Sequence, residues 1–195
     1  MFKIDRDLAR HELDALPLSE GSRRFASWWL SQIAADGSPL QIEKAKPVPG
    51  DLAASTLICE VRAWGTVLCR SSGDVINRAL GLDLAGRDML ALVSPAQRAA
   101  RFSRYGSVGA GGVLFAYRSV TAADGTKFRI QELLLPCPDR RVAMIDKGAA
   151  LTIGYLDSTQ LASGTRLLIS QGALNLADEP KFIDFRPSPL MAASA

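Results

Sequence analysis

The stretch RSSGDVINRALGLDLAGRDML, Arg70 to Leu90, decides how the fold is read. A short helical pattern runs up to Gly81, and Asp83-Leu84-Ala85-Gly86-Arg87-Asp88 follows at once. Gly81 and Gly86 accept positive φ where other residues meet a steric cost, and Asp83 can bond nearby backbone amides as a cap or turn former. The segment therefore halts a helix, turns and restarts within a few residues, and it contains no catalytic motif.

Working outward, TLICEVRAWGTVLCRSS before it gives two β-prone runs around a glycine-containing turn, a hairpin of residues 56–62 and 66–72 with the loop Ala63-Trp64-Gly65. In that register Cys59 and Cys69 stand directly opposite each other. Two small apolar strand residues are the ordinary reading, and a redox or metal pair is the alternative. After the stretch, SPAQRAARFSRYG predicts a helix: Ser94 and Gln97 have capping-box spacing, Pro95 occupies the first turn and Gly106 offers a left-handed exit. VGAGG at Val108 to Gly112 reads as a flexible connector. GVLFAYRSV and TKFRIQELLLPC are strand patterns joined by TAADG, whose Asp124-Gly125 pair is a turn signal, and RVAMIDKG predicts a last strand.

Ahead of the hairpin, Ala9, Leu13 and Leu16 repeat on one helical face, with Phe2 a heptad before Ala9, until Pro17 ends the run. A second helix is expected from a Ser22 cap, with Phe25, Trp29 and Ile33 on one stripe before Gly37 and Pro39. QIEKAKPVPGDL, broken at Pro47, Pro49 and Gly50, reads as an irregular strap. Beyond Ala150 the pattern is less legible: TRLLIS and KFIDF suggest short strands, and RPSPLMAASA a frayed end. Helices, hairpin, short helices, a longer helix and three antiparallel strands give an α+β class with an antiparallel sheet, and the absence of βαβ alternation disfavours a doubly wound nucleotide-binding sheet.

With 195 residues and 48% hydrophobic content the chain can bury a sizeable core. The net charge of +3 is mild, so nucleic-acid binding has to be argued from clustering. Arg98, Arg101 and Arg104 make a small basic stripe, read as a solvated face, with polyanion contact as the alternative. The N-terminus mixes acids and bases without a leader-length apolar core, and no window approaches a membrane span. Three cysteines without C-x-x-C spacing indicate neither a disulfide framework nor zinc, and a reducing cytoplasm is expected. A single histidine, His11, among the charges of the leading helix, excludes histidine-based triads in the core and multi-histidine metal sites. A phosphate-binding G-x-x-x-x-G-K-[ST] loop is also missing.

The order of elements, with Arg70, Gly73, the run Gly81-x-Asp83-Leu84-x-Gly86, Asp124-Gly125 and Glu132-Leu133-Leu134-Leu135-Pro136, resembles the PAS superfamily. It is most similar to a bacterial branch of small single-domain PAS proteins formerly grouped as a domain of unknown function. The aromatic helix around Trp28 and Trp29 and the Pro-containing strap also resemble that branch; Asp74, where a hydroxyl residue is common, departs from it. The resemblance spans about residues 22 to 147. It implies a PAS-like five-stranded antiparallel sheet, short helices crossing one face to wall off a cavity, and an N-terminal helical extension. The expected organisation is 1–54 extension and strap, 55–150 PAS-like core and 151–195 C-terminal extension. The flavin-bonding Asn-Cys-Arg type motif of light-sensing relatives is missing, and no cofactor is named by residues or resemblance.

Within that frame Glu132 shares a strand face with Phe128, Ile130 and Leu134, which puts a carboxylate on the expected cavity side. There it needs a cation or a phenol such as Tyr117, which sits with Phe115 on the neighbouring strand, or it keeps its proton. Its role is either a structural hydrogen bond or ligand orientation. The ligand-binding candidates are Val75, Ile76, Leu80 and Leu90 from the helical string, with Phe115, Tyr117, Phe128, Ile130 and Glu132 from the strands. The expected protein is a non-enzymatic, cytoplasmic sensory or regulatory PAS protein acting through ligand- or partner-dependent protein contacts. A ligand-free adaptor is the alternative, and a small cavity enzyme with Glu132 as general base a third reading. The leading helix either folds back on its own sheet or meets a second copy, since PAS relatives often dimerise through such a helix.

Overall fold

The computed structural model describes residues 3–38, 46–137, 149–157, 159, 175–176 and 181–184. Helices α1 (Arg6–Asp14) and α2 (Glu20–Ser31) lead, followed by the short α3 (Gly50–Ala53). The hairpin β1 (Thr56–Arg62) and β2 (Thr66–Ser72) has the expected bounds, and Cys59 is paired with Cys69. Then come α4 (Asp74–Leu80), a 3-10 turn (Met89–Leu92) and α5 (Pro95–Gly109). Strands β3 (Gly112–Thr121), β4 (Lys127–Pro136), β5 (Ala150–Asp157), β6 (Asn175–Leu176) and β7 (Lys181–Asp184) complete the sheet.

All pairings among the described residues are antiparallel, in the order β2-β1-β5-β4-β3-β6, with β7 also on β3. Five strands with helices crossing between β2 and β3 make the fold α+β and PAS-like. The strand lying between β1 and β4 is β5, which the sequence reading had assigned to the C-terminal extension. Its Gly154 weakens a strand pattern, yet here the bare backbone is required: an added Cβ would meet Leu134 Cδ2 at 2.5 Å. The strand expected over RVAMIDKG, the TRLLIS strand, Phe2, Pro39 and the frayed end lie outside the described residues, whereas KFID is β7.

Both faces of the sheet are covered. One carries α4, the 3-10 turn and α5, packed on Leu57, Cys59, Leu114, Ala116, Ile130 and Leu134. The other carries α1 and α2 through Ala9, Leu13, Phe25 and Trp29, packed on Val113, Phe115, Leu133, Leu135 and Ile153. The leading helix thus folds back on its own sheet. Trp29 Nε1 donates to Pro136 O at 3.0 Å, and Gln131 of β4 accepts from Ser19 N at 2.9 Å and donates to Pro17 O at 2.8 Å. α2 begins earlier than expected: Ser19 is the cap, accepting from Ser22 N, and Ser22 lies buried inside the helix.

The punctuation of Arg70–Leu90 is as read. Gly81 closes α4 in the left-handed region at φ 63° and Gly86 takes φ 78°, while Asp83 Oδ1 accepts from Ala85 N at 2.9 Å. α5 differs. It runs through Gly106 to Gly109, Ser94 makes no side-chain cap bond, and Gly111 takes the positive φ of 115°. VGAGG is therefore a helix end and strand start rather than a flexible connector. Gly109 lets α5 lie close on β5, since an added Cβ would meet Ala150 Cβ at 2.6 Å.

Candidate functional site

The site is built on one face of β4. Antiparallel partners share a face, so Glu132 stands with its partner Ala116 and with Ile130 and Leu134 under α5. It is 1% exposed. Arg101 of α5, 4% exposed, donates from Nη2 to Glu132 Oε1 at 3.1 Å, and Arg118 of β3, 1% exposed, pairs with Glu132 Oε2. Arg101 also reaches Tyr105 Oη at 3.4 Å and lies 5.2 Å from the centroid of that ring. One carboxylate thus meets two guanidinium groups inside an apolar layer, and the Arg101 contact ties α5 to the sheet.

Arg101 therefore leaves the solvated stripe to which the sequence reading assigned it. Arg98 is exposed and Arg104 half-buried, but Arg101 belongs to the inward face of α5 with Tyr105 and Val108. The spacing of those three, i, i+4 and i+7, is the sequence signal that could have found it. Burial pulls the Arg101 guanidinium down, but Glu132 and then Tyr105 outweigh it and leave the group raised. Burial pushes the Glu132 carboxyl up, opposed by Arg101 and Arg104, and pushes the Tyr105 phenol well up. Arg101 Nε and Nη1 are buried without a hydrogen-bond partner, as is Oγ1 of Thr152, the register partner of Cys59. Buried donors of this kind favour an acceptor brought to them.

The candidate residues divide between the two faces. Ile76, Leu80, Leu90, Ile130 and, partly buried, Phe128 pack together on the side of Glu132, and Val75 is half-buried at the start of α4. Phe115 and Tyr117 face the opposite way, against the α1 and α2 layer, so neither meets Glu132. Tyr117 Oη accepts from Gln131 Nε2 at 3.2 Å, with the Arg129 guanidinium 3.8 Å from its ring centroid. The partner of Glu132 is thus a pair of cations, not the Tyr117 phenol. A carboxylate held at both oxygens by guanidinium groups is a poor general base.

Outside this layer a groove of about 390 Å³ runs between the hairpin tip and α5, lined by Gly65, Asp88, Leu90, Arg98 and Phe102 among others. Trp64 at the tip is 66% exposed. Among the described residues no helix is long and apolar enough to cross a membrane, and no group of three or more His, Cys, Asp or Glu side chains gathers as a metal site.

No protein-family model and no curated protein matches the chain. Solved structures with similar coordinates include a fungal LOV-domain photoreceptor, 17% identical, at TM-score 0.36 over 57% of this chain and 82% of that one. An RNA-binding light-oxygen-voltage receptor is 17% identical at TM-score 0.38; the match covers 78% of this chain but only 48% of the receptor. The PAS domain of an HTR-like protein from Haloarcula marismortui is 16% identical at TM-score 0.30 over 54% of this chain and 82% of that one. Overlaps this loose carry no argument about ligand or activity. The PAS-like fold stands on the strand order and on the helices that cross the sheet between β2 and β3.

Proposed function

We propose that the chain is a non-enzymatic, cytoplasmic sensory or regulatory protein of PAS type whose signal passes by contact with another protein, with residues 55–150 as the principal part of its core. The observation that carries this reading is Arg101: a buried guanidinium on α5, paired to Glu132 on the sheet yet with Nε and Nη1 lacking hydrogen-bond partners. A small ligand with acceptor oxygens entering beside Ile130 and Leu90 would satisfy those donors and compete for the link between α5 and β4. A ligand that binds one packing of α5 better than another shifts the population toward it, and the outer surface of α5 reports the change.

A second reading is favoured by the packing of the candidates themselves. Ile76, Leu80, Leu90 and Ile130 are each at most 5% exposed and sit within one continuous core, as in a ligand-free adaptor. Native mass spectrometry of the full chain separates the two. The sensory reading expects a retained small molecule that is lost in a folded Arg101→Met variant. An unliganded chain whose melting temperature is unmoved by a panel of small carboxylates supports the adaptor. The same spectra report whether the chain is a monomer or a homodimer.

A further inference from the structure

The hairpin places Cys59 of β1 directly opposite Cys69 of β2, and both side chains point into the core beneath α4 and α5. The backbone tells which kind of pair this is. Cys69 N donates to Arg87 O and Cys69 O accepts from Gly86 N, both at 2.8 Å, so the polar groups of Cys69 face away from β1. An antiparallel pair whose backbone groups turn outward is the non-hydrogen-bonded kind, with Cα atoms about 4.5 Å apart and side chains at their closest. A β-bulge shifts the register between Ile58 and Cys59, next to this pair, yet the two thiols stay within hydrogen-bonding reach of each other. A disulfide spans Cα separations of about 4.4–6.8 Å, a range wide enough to take in that irregularity.

We propose that Cys59 and Cys69 form a reversible thiol–disulfide site whose oxidant is a small hydroperoxide. With hydrogen peroxide, the Cys69 sulfur attacks one peroxide oxygen, the O–O bond breaks, the departing oxygen leaves as water with the thiol proton (as the alcohol from an alkyl hydroperoxide), and Cys69 becomes a sulfenic acid. The Cys59 sulfur then attacks the Cys69 sulfur, the S–O bond breaks, and a second water leaves with the Cys59 proton. Two thiols and one hydrogen peroxide give one disulfide and two waters; a thiol reductant reverses the change.

The order of the steps follows from the surroundings. Hydrogen bonding from Cys59 holds the Cys69 thiol below its ordinary range, whereas burial pushes the Cys59 thiol well up. Both thiols are 0% exposed, and Cys69 is the one on the edge strand, so peroxide reaches it when the Gly86–Arg87 turn opens. The edge of β2 at Cys69 is closed by the turn at Gly86 and Arg87, both exposed, whereas Cys59 lies between β2 and β5. A nucleophile at the edge and a resolving thiol inside is the arrangement a two-step oxidation needs. Thiol and disulfide are both uncharged, so the change reaches α5 through packing: Cys59 and Cys69 share one core layer with Tyr105 and Val108 of that helix. The inference does not depend on a ligand binding there.

The test treats the full folded chain with hydrogen peroxide, alkylates the remaining thiols and maps the digest by mass spectrometry. The expected product is a peptide pair joined through Cys59 and Cys69, with Cys69 consumed at least about tenfold faster than Cys137 on the opposite face. Dithiothreitol should return both thiols. In Cys59→Ser a 1,3-dione probe should trap a sulfenic acid at Cys69, and in Cys69→Ser the Cys59 thiol should survive the same exposure. Two thiols that remain reduced after the peroxide exposure, and are alkylated in full once the quenched chain is denatured, overturn the proposal. So does a bridge that forms only between chains, or only once circular dichroism shows the chain unfolded.

Discussion

At Glu132 two guanidinium groups share one carboxylate in a buried layer. Breaking such a group by removing one partner leaves a buried charge uncompensated, so Glu132→Gln should cost about 3 kcal/mol in urea denaturation. Replacing Glu132, Arg101 and Arg118 together by Leu or Met removes the uncompensated charge and should recover most of that loss. A cost for the single variant within 0.5 kcal/mol of zero, about the scatter of surface substitutions, would mean the group is solvated rather than buried. The face of Glu132 was legible in the sequence because Phe128, Ile130, Glu132 and Leu134 keep a two-residue period. Its partner was harder to read: Arg101 keeps the i, i+4, i+7 spacing of Tyr105 and Val108, but its charged head, and the i, i+3 spacing to Arg98 and Arg104, assign it to a solvated stripe instead. Phe115 and Tyr117 were misplaced for a related reason. A strand covered on both sides, such as Val113-Leu114-Phe115-Ala116, is apolar at every position and carries no alternation to tell its faces apart.

Among the elements, the turns of the crossing segment were the clearest part of the sequence, since glycine at a left-handed position is demanded by backbone sterics alone. Space around Gly81 is open, so Gly81→Ala should cost only the conformational strain, about 1–2 kcal/mol, and Gly81→Asn less. Gly73 is the contrasting case: its φ is −74°, but an added Cβ would run into the carbonyl oxygens of Ala53 and Ala54. Gly73→Ala should therefore be the more damaging of the two alanine variants, a ranking that parallel urea curves would check. Ser19→Ala removes the α2 cap and should cost about 1 kcal/mol, with amide exchange rising first at Ser22. β5 escaped the sequence reading because its Gly154 weakens the strand pattern. Only the approach of Leu134 and Leu57 from neighbouring strands explains why a glycine stands there.

On the scale of the molecule, a sheet with apolar side chains on both faces needs two covers, and the N-terminal helices are the second. Trp29→Ala, which also leaves Pro136 O without its indole donor, should cost about 3–5 kcal/mol. A chain lacking residues 1–38 would bare Val113, Phe115, Leu133 and Leu135 and should bind hydrophobic dyes and sediment as aggregates. A shortened chain that unfolds cooperatively as a monomer would show that the extension is an accessory rather than half of the core. The sheet is closed sideways as well. At one rim the turn at Gly86–Asp88 occupies the backbone of β2, and at the other β6 and β7, two and four residues long, occupy β3. Strand-by-strand docking, the promiscuous route by which sheets join neighbours and grow into fibres, finds little foothold here. What the described rims of the sheet offer to their surroundings is therefore side chains, which can be selective where a bare peptide edge cannot.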